Sequence, residues 1–329
     1  MTTTTSITPM SAARRRLRHG PAPRARPGTM KINIVGSGFV GAATGKGMVN
    51  HGHRVTFLDV DHNIVAMLYG EGYDARLAGD YHALTGEVTM FCVPTPTVAG
   101  EIRLDALRAA VESFAELLHS HDDYHVVVVR STVPPNTTRQ IVLPLIEKVS
   151  GKTVGIDFGL VMQPEYLREA TAEQDFARPW LITIGEFDKE SGDVVSKAYR
   201  GFDAPIIRTS LEEAEFQKYV HNVYNAAKIA FFNEMRIVAQ GEGWDATTIF
   251  QATAQSSEGM WNPIYGIRDH GPFDGSCLPK DSAALVEWGD RNGYSLEIVR
   301  TVIAENLMHE RLLGRNSVVR NHMLDVAHG

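Results

Sequence analysis

The apolar run Met30-Lys31-Ile32-Asn33-Ile34-Val35 stops at Gly36-Ser37-Gly38-Phe39-Val40-Gly41, and a helical pattern follows to about Asn50. That sequence of events leaves few folds open. A short strand this apolar is buried on both faces, as in a parallel sheet, and the helix must return across it. Gly36, Gly38 and Gly41 let the backbone approach a pyrophosphate resting on the helix N-terminus. Three glycines alone are a weak signal. Here Asp59 ends the next strand candidate, 54–59, which supplies the rest of the context the motif needs. Its carboxylate would accept hydrogen bonds from ribose hydroxyls and repel a 2′-phosphate. The cofactor expected is therefore NAD rather than NADP.

Further strand candidates lie at 88–93, 125–129, 159–162 and 181–184, with helical patterns such as 104–118 between them. This alternation predicts an α/β fold with an N-terminal Rossmann-like doubly wound sheet. The pattern changes near Thr209. From Ser210 to about Gln240 apolar residues recur at helical spacing without Pro or Gly, and Ser210 with Glu213 forms a capping box. A helix that long is expected to span between domains or protomers. Shorter helices are expected at 245–254, 282–291 and 296–313, with a Gly-, Pro- and aromatic-rich loop at 255–281 of the kind that carries function. Three regions result: a basic leader at 1–29, an NAD-binding domain at 30–208, and an α-helical central or dimerisation domain at 209–329.

The leader holds six arginines and no acid, a disordered composition. Without those six charges the remainder moves from −7 to −13, which argues against a nucleic-acid partner. No apolar run reaches the roughly 18 residues that span a bilayer. Two cysteines make no disulfide framework and suit a reducing, cytoplasmic setting. Cys92, in the strand candidate 88–93, reads as a small core hydrophobe. No metal site is expected.

Cys277 differs. It lies in Phe273-Asp274-Gly275-Ser276-Cys277-Leu278-Pro279-Lys280-Asp281, among turn-forming and charged residues, a plausible setting for a nucleophilic thiol. Asp281 reads equally well as the N-cap of helix 282–291 or as part of the chemistry. Lys218 and Asn222 are four apart on the long helix and so share a face, where together they could grip a hydroxyl or carbonyl oxygen. Two strand-end segments, Arg130-Ser131-Thr132-Val133-Pro134-Pro135 and Gln163-Pro164-Glu165-Tyr166-Leu167-Arg168-Glu169, fall at the edge where doubly wound sheets bind ligands. Glu165 and Glu169, four apart, could share a face, and a carboxylate there is a candidate base for activating water.

Taken together these segments, with Val93-Pro94-Thr95-Pro96-Thr97, Glu213-Ala214-Glu215 and Phe232-Asn233-Glu234, resemble the UDP-glucose/GDP-mannose dehydrogenase family from Met30 to about Leu313. The resemblance implies oxidation of a primary alcohol to a carboxylate with two NAD. Cys277 matches the nucleophile that holds the aldehyde as a thiohemiacetal and then a thioester. Lys218 matches the lysine that stabilises the oxyanion, and Asn222 its helix partner. Glu165 matches the acid that assists thioester hydrolysis, while Thr132 and Asp281 position the water. Cofactor contacts are implied for Gly36, Gly38, Phe39, Val40, Gly41, Asp59, Thr95, Thr132, Glu169 and Lys280. Substrate contacts are implied for Glu165, Tyr166, Leu167, Lys218, Asn222, Asp274 and Gly275.

Three departures bear on the substrate. The chain ends soon after helix 296–313, whereas family members continue into a second Rossmann-like domain, so a shortened member is expected. The paired glycines before the cysteine become Asp274-Gly275. Ile64 replaces a frequent lysine five residues after the ribose aspartate, and Trp261 falls near the place of an arginine. The expected substrate is a nucleotide sugar or a related sugar or nucleoside, and the expected partner a second copy of the chain. The alternatives are a two-electron β-hydroxyacid-type dehydrogenase, separated by NAD stoichiometry, and a catalytically silent NAD-binding protein.

Overall fold

A computed structural model describes residues 28–267 and 271–313. Residues 1–27 of the expected leader lie outside them. Two compact units divide within one long helix, the first ending at Lys218 and the second starting at Tyr219. The boundary expected at 208/209 lies earlier, inside the last strand of the first unit (Ile206–Ser210).

The first unit runs β1 (Lys31–Val35), α1 (Phe39–Asn50), β2 (Arg54–Asp59), α2 (His62–Gly70), β3 (Asp74–Leu77) and β4 (Val88–Phe91). A small hairpin of β5 (Thr97–Val98) and β6 (Glu101–Ile102) precedes α3 (Asp105–His119). Next come β7 (His125–Val129), α4 (Leu143–Ser150), β8 (Phe158–Met162), α5 (Ala172–Ala177), β9 (Ile182–Glu186), α6 (Lys189–Ala198) and β10 (Ile206–Ser210). Eight strands of the described residues form one sheet in the order β10-β9-β8-β7-β4-β1-β2-β3. The six from β3 to β8 run parallel, and β9 joins β8 antiparallel. Strand order reverses between β1 and β4, which opens a crevice beyond their C-terminal ends.

Two-sided burial explains the unbroken apolar runs. All five residues of β7 are buried. Val126 and Val128 pack with Ile34, Phe57 and Met90 on one face, while Val127 and Val129 pack with Phe91, Phe114 and Leu118 on the other. Each such side chain contributes on the order of 1.5–3 kcal/mol by leaving water.

The long helix α7 spans Leu211–Gly241. Its capping box forms as the sequence predicts: Glu213 N–H donates to Ser210 Oγ (3.2 Å) and Ser210 N–H to Glu213 Oε2 (2.9 Å). The second unit contains the rest of α7, then α8 (Ala246–Ser256), α9 (Glu258–Trp261), α10 (Leu278–Arg291) and α11 (Glu297–Leu312). Val238, Val286, Leu296 and Ile303 form its core. Glu234 caps α11, its carboxylate accepting from Ile298 N (2.9 Å) and Val299 N (3.4 Å).

Two expectations change here. α10 begins at Leu278, not Ser282, because Pro279 fits a first helical turn, where its missing N–H costs nothing. Asp281 is therefore inside the helix, donating its N–H to Cys277 O (2.9 Å), and is not an N-cap. The expected loop at 255–281 is also shortened from both ends, by α8 with α9 and by the start of α10.

Candidate active site

The crevice holds a cavity of about 780 Å³. Gly36, Gly38, Phe39, Val40, Asp59, Thr95, Thr132 and Glu165 line it, so eight predicted site residues meet in one place. The turn after β1 explains why glycines stand there. Gly36 has φ +81°, and a Cβ on it would sit 2.8 Å from Val93 N. Gly41 does not line the cavity. A Cβ there would lie 2.0 Å from Gly36 O, so its part is to let α1 close against the turn.

Asp59 is 8% exposed at the end of β2. Ser37 N donates to its Oδ2 (2.6 Å) and Asp61 N to its Oδ1 (2.9 Å), which fixes the carboxylate and leaves lone pairs free for a diol. Ile64 lines the same end, and among the described lining residues the one Lys or Arg is Arg130. Among the described residues that line the Asp59 end, none is placed to neutralise a 2′-phosphate. Thr95 Oγ1 donates to Thr132 O (2.7 Å), tying the loops after β4 and β7 together. Cys92 is buried as expected, and burial pushes its thiol up to about 11.

At the other end stands a buried ion pair. Lys218, on α7 and 5% exposed, donates from Nζ to Glu165 Oε1 at 3.0 Å and also to Glu165 O. Leu167 N donates to Glu165 Oε2 (2.5 Å), and Lys218 Nζ lies 5.5 Å from the centroid of the Tyr166 ring. Tyr166 OH meets Thr183 Oγ1 at 2.8 Å and donates to Gln217. Glu169 is exposed at the start of a short 3-10 turn and does not line the cavity. The expectation that it shares a face with Glu165 fails because 163–168 is extended loop rather than helix.

In the second unit Cys277 is exposed at the N-cap of α10, its Sγ 3.7 Å from Ser276 Oγ. Lys280 and Asp281 form an exposed ion pair one turn on. Gly275, at φ +91°, donates its N–H to Asp274 Oδ1 (2.7 Å), and both residues are exposed. Asn222 is exposed on α7.

Two supporting residues were given no role by the sequence reading. Asn306 on α11, 4% exposed, accepts from Phe273 N at Oδ1 (2.6 Å) and donates from Nδ2 to Phe273 O (3.0 Å), so it clamps the start of the cysteine segment. Glu215, fully buried, accepts from Asn136 N (2.5 Å) and Thr138 N (2.7 Å) and fastens the loop after β7 to α7. A polar residue at a helical core position is a signal for Glu215, since it breaks the apolar stripe. Nothing local marks Asn306.

A doubly wound sheet with this crevice and a fixed aspartate at one end defines a dinucleotide-binding protein. The comparisons agree. A sequence model described as the NAD binding domain of the UDP-glucose/GDP-mannose dehydrogenase family matches residues 73–203, and one described as its central domain matches 212–307. The chain is 37% identical over 277 residues to GDP-mannose 6-dehydrogenase of Pseudomonas aeruginosa, covering 78% of this chain and 63% of that one. It is 31% identical over 301 residues to UDP-glucose 6-dehydrogenase AglM of Haloferax volcanii, covering 84% and 69%. A crystal structure of GDP-mannose dehydrogenase from Pseudomonas aeruginosa superimposes with TM-score 0.80 at 32% identity, covering 87% and 71%. The chain belongs to the UDP-glucose/GDP-mannose dehydrogenase family, and its cofactor is NAD. It spans 63% of the length of the GDP-mannose 6-dehydrogenases it matches.

Proposed function

We propose that the protein oxidises a primary alcohol of a nucleotide sugar, or of a related sugar or nucleoside, to a carboxylate with two NAD. The observation that carries this reading is the Lys218–Glu165 pair. A nearly buried ammonium is held at 3.0 Å by a carboxylate that itself lines the cofactor cleft, which supports a role for Lys218 on oxygen at the reacting end. NAD supplies the hydride acceptor. Asp59 would hold its adenosine ribose and Gly36-Ser37-Gly38 its pyrophosphate.

In the first half-reaction Lys218 steadies the developing alkoxide while the alcohol loses a hydride and a proton. The Cys277 thiolate then adds to the aldehyde carbon and a proton goes to its oxygen, giving a thiohemiacetal. Loss of a second hydride and proton leaves a thioester. Water, activated by Glu165 and positioned by Thr132 and Asp281, adds to the thioester carbon and the Cys277 thiolate leaves. Asn222 assists on the α7 face, and Tyr166, Leu167, Asp274 and Gly275 are the further proposed substrate contacts. Phe39, Val40, Thr95, Glu169 and Lys280 complete the cofactor contacts, and Gly41 shapes the turn. Covalent capture keeps the aldehyde from escaping between oxidations.

A homodimer is supported by apolar side chains that α7 leaves exposed, among them Val223, Ile229 and Ile237 at 61%, 63% and 64%. A cytoplasmic setting is supported by two free thiols. Among the described residues no helix is long and apolar enough to cross a membrane.

The test is a turnover screen with GDP-mannose, UDP-glucose and related sugars, counting NADH against acid. Two NADH per carboxylate is expected. One NADH with a free aldehyde or ketone product would replace this reading with the two-electron one.

A further inference from the structure

Arg130 closes β7 at 3% exposure. Its Nη1 donates to Gln163 Oε1 (2.6 Å) and Tyr199 OH (3.1 Å), both neutral, and its Nε is buried with no partner. Among the described residues no carboxylate forms an ion pair with it. Glu165 lines the same cavity, but its charge is taken up by Lys218. A guanidinium costs several kcal/mol to bury, and without a counter-charge most of that cost stays uncompensated. Arg130 borders the cofactor cleft three strands from Asp59, across β2-β1-β4-β7, roughly 14 Å at ordinary strand spacing. A dinucleotide with its adenosine on Asp59 lays its nicotinamide half toward the Arg130 end.

We propose that Arg130 sets the preference of the cleft between the two oxidation states of the cofactor, disfavouring NAD+ relative to NADH and so drawing hydride toward the ring. The inference rests on the NAD reading of the cleft. The nicotinamide ring of NAD+ is cationic, and on accepting a hydride it becomes neutral. An uncompensated positive charge nearby raises the free energy of the first form and leaves the second almost untouched. Neighbouring groups do not cancel it: Arg130, Lys218 and Glu165 together leave one positive charge at this end.

The test titrates NAD+, NADH and ADP-ribose into the full chain and into Arg130→Gln, Arg130→Lys and Gln163→Glu. Arg130→Gln removes the charge, and Gln163→Glu neutralises it in place at the 2.6 Å contact. Both should tighten NAD+ relative to NADH roughly tenfold, the size expected for unit charges about 10 Å apart at an effective dielectric near 20. Arg130→Lys should hold the wild-type ratio, and ADP-ribose, which lacks the ring, should bind all four proteins alike. If Arg130→Gln does not fold, Gln163→Glu decides. An unchanged ratio in the neutralised variants, an equal shift in Arg130→Lys, or a parallel loss of ADP-ribose affinity overturns the proposal. A wild-type protein that binds none of the three ligands instead overturns the cofactor reading itself.

Discussion

Two lysine–carboxylate pairs are among the predicted site residues, one in each unit, and they could hardly differ more in setting. Lys218 and Glu165 have side-chain exposures of 6% and 13%, whereas Lys280 and Asp281 have 67% and 66%. The first pair has already lost most of its water. Its charges are held by the fold, aimed, and costly to leave alone. The second is solvated and screened, and it contributes almost nothing to holding the chain together. The difference teaches where each part of the site is vulnerable. Around Lys218 stability and chemistry are coupled, while around Cys277 they are separable.

The largest expected effect lies on the separable side. Cys277→Ser should cut acid formation at least about a hundredfold, as loss of a covalent nucleophile does. Its melting temperature and its NAD affinity should match wild type. Acid formation at the wild-type rate would remove Cys277 from the mechanism.

Lys218→Met probes the coupled side. It strands Glu165 without its counter-charge and should cost about 3 kcal/mol of stability, within the usual range for breaking a buried pair. Urea unfolding checks this. A denaturation midpoint at the wild-type value would mean that the pair is not buried in solution.

Asn306→Ala tests whether the exposed cysteine segment is nevertheless anchored. Loss of two hydrogen bonds to Phe273 should cost about 1–2 kcal/mol and speed amide exchange at Phe273. Exchange unaltered by the substitution would show that the segment is held by something else.

A pH series sharpens the contrast in the first unit. His125 is fully buried beside Thr89 and Phe114, and burial, with His121 nearby, lowers its ring to about 3. The folded state therefore binds its proton less readily than the unfolded chain, whose histidine titrates near 6.5. The stability from neutral His125 is present above about pH 6.5 and is lost as pH falls toward 3. His125→Gln should flatten that decline in thermal melts. An equal slope in the variant would assign the acid sensitivity to the carboxylates.

Lys280→Met should have the smallest structural effect. The melting temperature should stay where it is, and any change should appear in cofactor affinity. A clear drop in stability would erase the distinction between the two pairs.

Much of the fold was legible because its signals are local. Periodicity placed β1, β2, β7, α3 and α7 within a residue or two. The glycine turn and Asp59 announced the crevice, and Ser210 with Glu213 announced the start of α7. Asp281 misled, since its reading as an N-cap started the helix at Ser282, whereas Pro279 fits the first turn of a helix that begins at Leu278. Glu169 misled as well, because spacing of four has meaning only inside a helix and residues 163–168 are not helical.

By itself the sequence determined the parallel sheet and the cofactor end of the crevice, which follow from residue type and spacing along a few turns or strands. The roles expected of Cys277, Lys218 and Glu165 rest on the family resemblance. Only the tertiary structure decided that Glu165 grips Lys218 from 53 residues away, that Asn306 clamps Phe273 from 33 away, and that Arg130 is buried with no counter-charge among the described residues. Burial and partnership depend on which surfaces the packed elements bring together, and no local pattern records that.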